Sequence, residues 1–157
     1  MANAKGPAFD PKTVAEHTGS SYPEPFRSQV AGRAKRRLGD AFGLTQFGVN
    51  LATLPPGCPS SMRHWHSHED EFLYVVEGEL VLVTDAGEQI LKPGMVAGFP
   101  AGKADGHRLI NRSDKPAVYL EVGGRDARDV CEYSDIDMRA EPFNGGSRYV
   151  RKDGTPY

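Results

Sequence analysis

Between Phe42 and Val122 the sequence falls into short apolar, β-prone segments separated by turn residues. Phe42–Leu54 runs into Pro55-Pro56-Gly57, and Phe72–Val76 stops at Glu77-Gly78. Leu80–Thr84 is closed by Asp85-Ala86-Gly87, Gln89–Lys92 by Pro93-Gly94, and Met95–Phe99 by Pro100. His107–Ile110 leads into the polar turn Asn111–Pro116, and Ala117–Val122 follows. Turn signals recurring every few to about twelve residues predict six or seven short strands rather than βα units. No helical period competes in this stretch, so the expected architecture is an antiparallel sandwich or barrel. Glycine (18) and proline (12) are abundant enough among 157 residues to supply the turns.

A chain of this length accommodates one domain. We read a barrel core over residues 41–124, an N-terminal arm and basic loop over residues 1–40, and a C-terminal extension over residues 125–157. The extension is expected to pack on the barrel or on a partner subunit. The basic run holds Arg33, Lys35, Arg36 and Arg37 and reads as a solvated loop or short helix. A net charge of −2 gives poor support to a nucleic-acid contact there, or to an anionic membrane as partner. No apolar run approaches the ~20 residues of a membrane span. The first residues lack a hydrophobic signal core, which predicts a cytoplasmic protein. Cys58 and Cys131 form neither a disulfide framework nor a metal knuckle and are expected as free thiols.

The chemistry concentrates on histidine. His64, His66, His68 and His107 fall in the strand-rich core, and His17 lies in the arm. On a strand, positions 64 and 66 point to the same face, so two imidazoles can converge on one ion while Arg63 and Trp65 face away. The acidic turn His68-Glu69-Asp70 then delivers Glu71 to the next strand, from which a carboxylate can reach the same ion. Glu69 and Asp70 are the acidic alternatives. His107 opens a later strand and is the fourth candidate. Three neutral imidazoles and one carboxylate leave positions open on an octahedral ion for water or substrate. Chance clustering explains one His-x-His. It explains less well four such residues with turn residues set between them.

The segment GCPSSMRHWHSHEDEFLYVVEG, residues 57–78, resembles the first motif of the cupin superfamily through Gly57, His64, His66, Glu71 and Gly78. GMVAGFPAGKADGHRLIN, residues 94–111, resembles the second through Gly94, Pro100, Gly102, His107 and Asn111. The spacer after Gly57 is one residue longer than usual, and the Gly102–His107 gap is two longer, so that loop could shape a substrate pocket. The flanks AGRAKRRLGDAFGLTQFGVNLATLPPG and YLEVGGRD and the tail KDGTPY are similar to a subgroup of small single-domain bacterial cupins sometimes labelled sugar-phosphate-isomerase-like. The resemblance covers about residues 22–157. It implies an all-β fold, a double-stranded β-helix or jelly-roll barrel. It further implies one divalent ion (Zn, Mn, Fe, Ni or Co) on His64, His66, Glu71 and His107, and a homodimer.

Two functions are compatible with these residues. One is a metal-dependent enzyme acting on a small polar or anionic molecule, isomerase-like or dioxygenase-like. The other is a non-catalytic small-molecule-binding cupin whose metal is structural or holds the ligand. Isomerisation needs a base near the substrate carbon, and His68 and Tyr74 are candidates beside Glu69 and Asp70. Arg63, Lys103 and Arg108 are read either as contacts for an anionic group or as ordinary exposed cations. Trp65, Tyr74 and Phe99 either line a pocket or fill the core. Asn111 is expected to cap the loop that follows it.

Overall fold

The computed structural model describes residues 6–157. Its elements are β1 (Glu16–Thr18), α1 (Phe26–Gln29), β2 (Ala34–Arg37), α2 (Leu38–Phe42), β3 (Phe47–Leu54), β4 (His64–His66), β5 (Glu71–Glu77) and β6 (Leu80–Thr84). They continue with β7 (Gly87–Leu91), β8 (Val96–Phe99), β9 (Arg108–Ile110), β10 (Ala117–Gly124), β11 (Cys131–Tyr133), β12 (Arg139–Phe143) and β13 (Gly146–Val150). A six-stranded sheet has the order β1-β2-β3-β10-β5-β8, a four-stranded sheet β13-β12-β11-β4, and a three-stranded sheet β7-β6-β9. The named ladders are antiparallel. The all-β jelly-roll architecture is as the sequence implies.

Period-two alternation explains how the large sheet closes on the interior. β3 and β10 pair from Leu54↔Ala117 to Phe47↔Gly124, and β10 pairs β5 with Tyr119 opposite Val75. One face therefore carries Ala52, Leu54, Leu73, Val75, Ala117 and Tyr119, all buried. The small sheet contributes Leu80, Leu82, Leu91 and Leu109 to the same core. Full burial of a side chain such as Leu54 or Leu80 is worth about 1.5–3 kcal/mol. The opposite face of β5 leaves Phe72, Tyr74 and Val76 each more than 40% exposed.

Eight strands, β3 to β10, occupy the central region. The three-residue β4, where the spacing sets His64 and His66 on one face, brings the count above the expected six or seven. Residues 38–42, read in part as the start of a strand, instead make a helical turn closed by Leu44 N–H to Gly39 C=O at 2.9 Å. Residues 34–37, read as loop or helix, are a strand paired to β3 with Lys35 opposite Ala52 and Arg37 opposite Asn50. Strand pairing crosses the expected boundaries at both ends: β2 joins β3, and β11 joins β4. A second core unites the two flanks, with Tyr22 and Val30 packed with Met62, Cys131, Tyr133 and Met138.

Candidate metal centre

The backbone brings the histidines together before their side chains do. His64 exchanges two hydrogen bonds with His107, N–H to C=O at 3.1 and 2.9 Å, which stitches β4 to the start of β9. His64 and His66 share one face of β4. Glu71 opens β5 on the interior face of the six-stranded sheet, opposite Gly123, which in turn pairs with Gly48. Gly123 carries no side chain beside the Glu71 carboxylate, and the Arg125 guanidinium lies over Gly48.

One carboxylate oxygen collects the three rings. Glu71 Oε2 lies 2.7 Å from His107 Nε2, 3.6 Å from His64 Nε2 and 3.7 Å from His66 Nε2. Neighbouring donors on an ion with ~2.1 Å bonds stand roughly 3.0–3.5 Å apart, which these spacings bracket. The far ring nitrogens fix the tautomers. His64 Nδ1 is 2.9 Å from the Met62 carbonyl, which can only accept, so Nδ1 carries the proton. His66 Nδ1 donates to Asp129 Oδ2 at 2.6 Å. Both Nε2 lone pairs are thus left for an ion, and the Asp129–His66 pair has the form of a carboxylate that orients a metal-ligating imidazole. The His107 ring stacks on Phe99 with centroids 3.5 Å apart. The donor set therefore fits a divalent ion.

Proton affinities follow the same geometry. Burial lowers His64 to about 4, which the Glu71 charge only partly offsets, so the ring is the neutral, ligating form at pH 7. Burial also pulls His66 down. The Cys131 sulfur, the Glu71 charge and the Asp129 hydrogen bond outweigh that and raise it to about 10, so an ion that binds at Nε2 must displace a proton there. Burial pushes the Glu71 carboxyl up, but the His107 hydrogen bond and the imidazole charges bring it down to about 2.

Two further donor groups overlap this one. His64, His66 and Cys131 form one, and His66, Glu69 and Asp129 the other, each with donor atoms within 4.8 Å. Cys131, set aside in the sequence reading, sits directly opposite His66 across the β4–β11 pair. Asp129 was also missed, since nothing local marks a lone aspartate in a polar loop as the partner of a histidine 63 positions earlier.

The cluster lies between two cavities, of about 980 and 310 Å³, and His66, Glu69, Glu71, Phe99 and His107 line both. Glu69 Oε1 accepts the Asp126 N–H at 2.8 Å, and burial raises its carboxyl. His68 is exposed and lines neither cavity, its Nδ1 2.8 Å from Ser67 Oγ. Tyr74 has the opposite parity to Glu71 on β5, so it faces outward and does not join the cluster. Asp70 accepts the Ala101 N–H at 2.8 Å at the surface. Arg63 turns away to pair with Asp135 at 2.7 Å and with Asp85, and holds the Asp135 carboxyl below its ordinary range. Lys103, in the lengthened loop, is exposed beside Asp105 and lines the smaller cavity together with Trp65. Arg108 borders the larger one. Asn111 is fully buried and ties its loop by donating to Leu54 and Lys115 carbonyls, each at 2.7 Å.

Fold and site together define a small jelly-roll protein with residues able to hold a metal ion. The Cupin domain family matches residues 50–123. At 47% identity the chain is similar to a crystal structure of a sugar phosphate isomerase from a cupin superfamily, from Silicibacter pomeroyi, with a TM-score of 0.92 and 96% of each chain covered. An Acidithiobacillus ferrooxidans protein provisionally named a sugar phosphate isomerase is 30% identical, with a TM-score of 0.74 over 83% of each chain. A Thermus thermophilus protein is 31% identical, with a TM-score of 0.55 over 74% of this chain and 95% of its own. No curated protein matches. The chain belongs to the cupin superfamily.

Proposed function

We propose that the protein is a metal-dependent enzyme that isomerises a small phosphorylated sugar or a related polar anion, with the ion on His64, His66, Glu71 and His107. The observation that carries this is the convergence of three Nε2 atoms within 3.7 Å of one carboxylate oxygen at the wall of a cavity of about 980 Å³. The names of the two similar proteins point to the same substrate class. An ion bound there supplies Lewis-acid stabilisation of negative charge on substrate oxygens. The chain's own groups do the rest. Asp129 and the Met62 carbonyl hold His66 and His64 in their ligating tautomers. Phe99 fixes the plane of His107. Of the four candidate bases, Glu69 is the one that lines the cavity, and we assign it the proton transfer at the substrate carbon.

The test is metal analysis of the purified protein joined to an assay against aldose and ketose phosphates. About one divalent ion per chain is expected, with isomerisation that stops on chelation and returns when one of Mn, Fe, Co, Ni or Zn is restored. Activity that survives complete metal removal overturns the proposal. Consumption of dioxygen by an iron-loaded protein, without isomerisation, replaces it with an oxygenase.

The homodimer belongs to the same proposal. Phe72, Tyr74, Val76 and Val96 make an exposed apolar face on β5 and β8, which a second copy would cover. Tyr74→Glu is expected to turn a sedimenting dimer into a monomer, and an unchanged dimer moves the interface elsewhere. Two free cysteines suit the reducing cytosol in which we place the chain. Among the described residues, no helix is long and apolar enough to cross a membrane.

A further inference from the structure

We propose that Arg33 is the anchor for the substrate's anionic group, a phosphate monoester, at the end of the cavity facing the imidazole cluster, with Arg37 as an auxiliary positive charge. The proposal rests on the isomerase assignment for the nature of the substrate, but the anion subsite itself stands on the cavity wall.

Arg33 immediately precedes β2, which holds the rest of the basic run, and alternation sorts the charges. Arg33, Lys35 and Arg37 line the large cavity. Arg36 has the other parity and pairs with Glu16 at 3.0 Å. Lys35 is already neutralised, because its ammonium is paired with Glu121, which also accepts from Asn50 Nδ2 and Tyr119 Oη. Arg37 makes no ion pair or side-chain hydrogen bond among the described residues. Arg33 has no carboxylate partner among them either. It donates Nη1 to the Ser60 carbonyl and Nη2 to the Gly19 carbonyl, while its buried Nε finds no acceptor. A guanidinium has five N–H donors, so three remain.

That guanidinium is held in place and points inward. Its charge acts on the phenols of Tyr22, Tyr119 and Tyr149, which line the same cavity. The Tyr119 hydroxyl, which donates to Glu121, lies within reach of both the Arg33 and the Glu71 charge. Strands spaced roughly 4.8 Å apart put β2 about 14 Å from β5 across β3 and β10 in the same sheet. Arg33 is half-buried with its Nε fully so, and a cation desolvated in this way without a counter-ion is costly, a cost that an anion docking there lowers. A fixed fork with free donors suits a phosphoryl group better than a lysine would. Arg33 and Arg37, with Arg108 also on the wall and without an ion pair among the described residues, match a dianion rather than a monocarboxylate.

The test is calorimetric titration of the full chain with inorganic phosphate, after chelation so that phosphate cannot sit on a metal. Saturable binding is expected, weakened about tenfold or more in Arg33→Gln, where charge-assisted bonds are lost. Arg37→Met should weaken it about two- to threefold, because that contact is longer-ranged. Arg36→Met, on the other sheet face, should bind as the parent does. No saturable binding to the parent chain, or equal affinity in Arg33→Gln, overturns the proposal. Acetate binding as tightly as phosphate overturns the phosphoryl assignment in favour of a carboxylate. If Arg33→Gln fails to fold because Ser60 and Gly19 lose their donor, Arg33→Lys decides: it keeps the charge and loses the fork, and unchanged affinity rejects the anchor. Metal content measured on the unchelated protein separates the two proposals. Bound metal without phosphate binding removes the subsite alone, and phosphate binding without metal removes the metalloenzyme alone.

Discussion

His66→Ala is expected to release the ion and leave the barrel folded. The imidazole is one of three that face Glu71 Oε2, and the one whose outer nitrogen is held by a carboxylate. Removing even the outer partner of a metal ligand costs roughly 10–100-fold in affinity, so removing the ligand should cost at least about 100-fold. The fold should survive because the residues that close the barrel, among them Leu54, Val75, Leu80 and Leu91, form a core that does not include His66. Asp129 loses one partner but keeps the Ser67 hydroxyl and the His68 N–H on its other oxygen. Stability should therefore fall by no more than about 1–3 kcal/mol, the cost of one unsatisfied buried group. Plasma emission on dialysed protein reads the metal, and circular dichroism melts read the fold. Unchanged metal content in a folded variant would remove His66 from the ligand set. Loss of both fold and metal would make the ion structural rather than catalytic.

The barrel was legible because its signals are local and redundant. Short apolar runs marked where strands lie and turn residues where each stops, but the unbroken run Phe72–Val76 did not say which face of β5 is buried. His64 and His66 could be placed on one face from their spacing alone. Their meeting with His107 could not, because it depends on the reciprocal backbone bonds between residues 43 positions apart. The rest was long-range in the same sense. Asp129 and Cys131 reach His66 through the β4–β11 pair, in a region that reads as irregular because its strands are short and polar. Tyr74 and His68 looked close to the chemistry by sequence distance, yet strand parity turns one outward and a surface turn carries the other away from the cavity. The basic run reads as solvated because charge clusters usually are. Only its pairing with β3 shows that alternate residues look inward.

Gly78→Ala should destabilise the fold by about 2–5 kcal/mol, the largest loss we expect from adding one methyl group. Two costs coincide at this position. Gly78 has φ +78°, a left-handed backbone that strains any side chain by roughly 1–2 kcal/mol. A Cβ there would also stand 2.8 Å from Ala117 Cα and 2.9 Å from the Pro116 carbonyl oxygen, both backbone atoms that cannot swing aside. Overpacking of this kind costs about 1–3 kcal/mol. Gly94→Ala is the matched comparison, because Gly94 has φ +88° and nothing lies within 4 Å of its added Cβ. It should show the backbone cost alone, so the difference between the two denaturation free energies isolates the collision with residues 116 and 117. The comparison bears on the site as well. Gly78 follows the end of β5, where the register against β10 shifts between Val118 and Tyr119, and that register sets Glu71 opposite Gly123 at the other end of the strand. Equal losses from Gly78→Ala and Gly94→Ala in urea titrations would mean that the turn is not pressed against Ala117. The position of the Glu71 carboxylate would then have to be fixed from its own end of β5, by the histidines themselves.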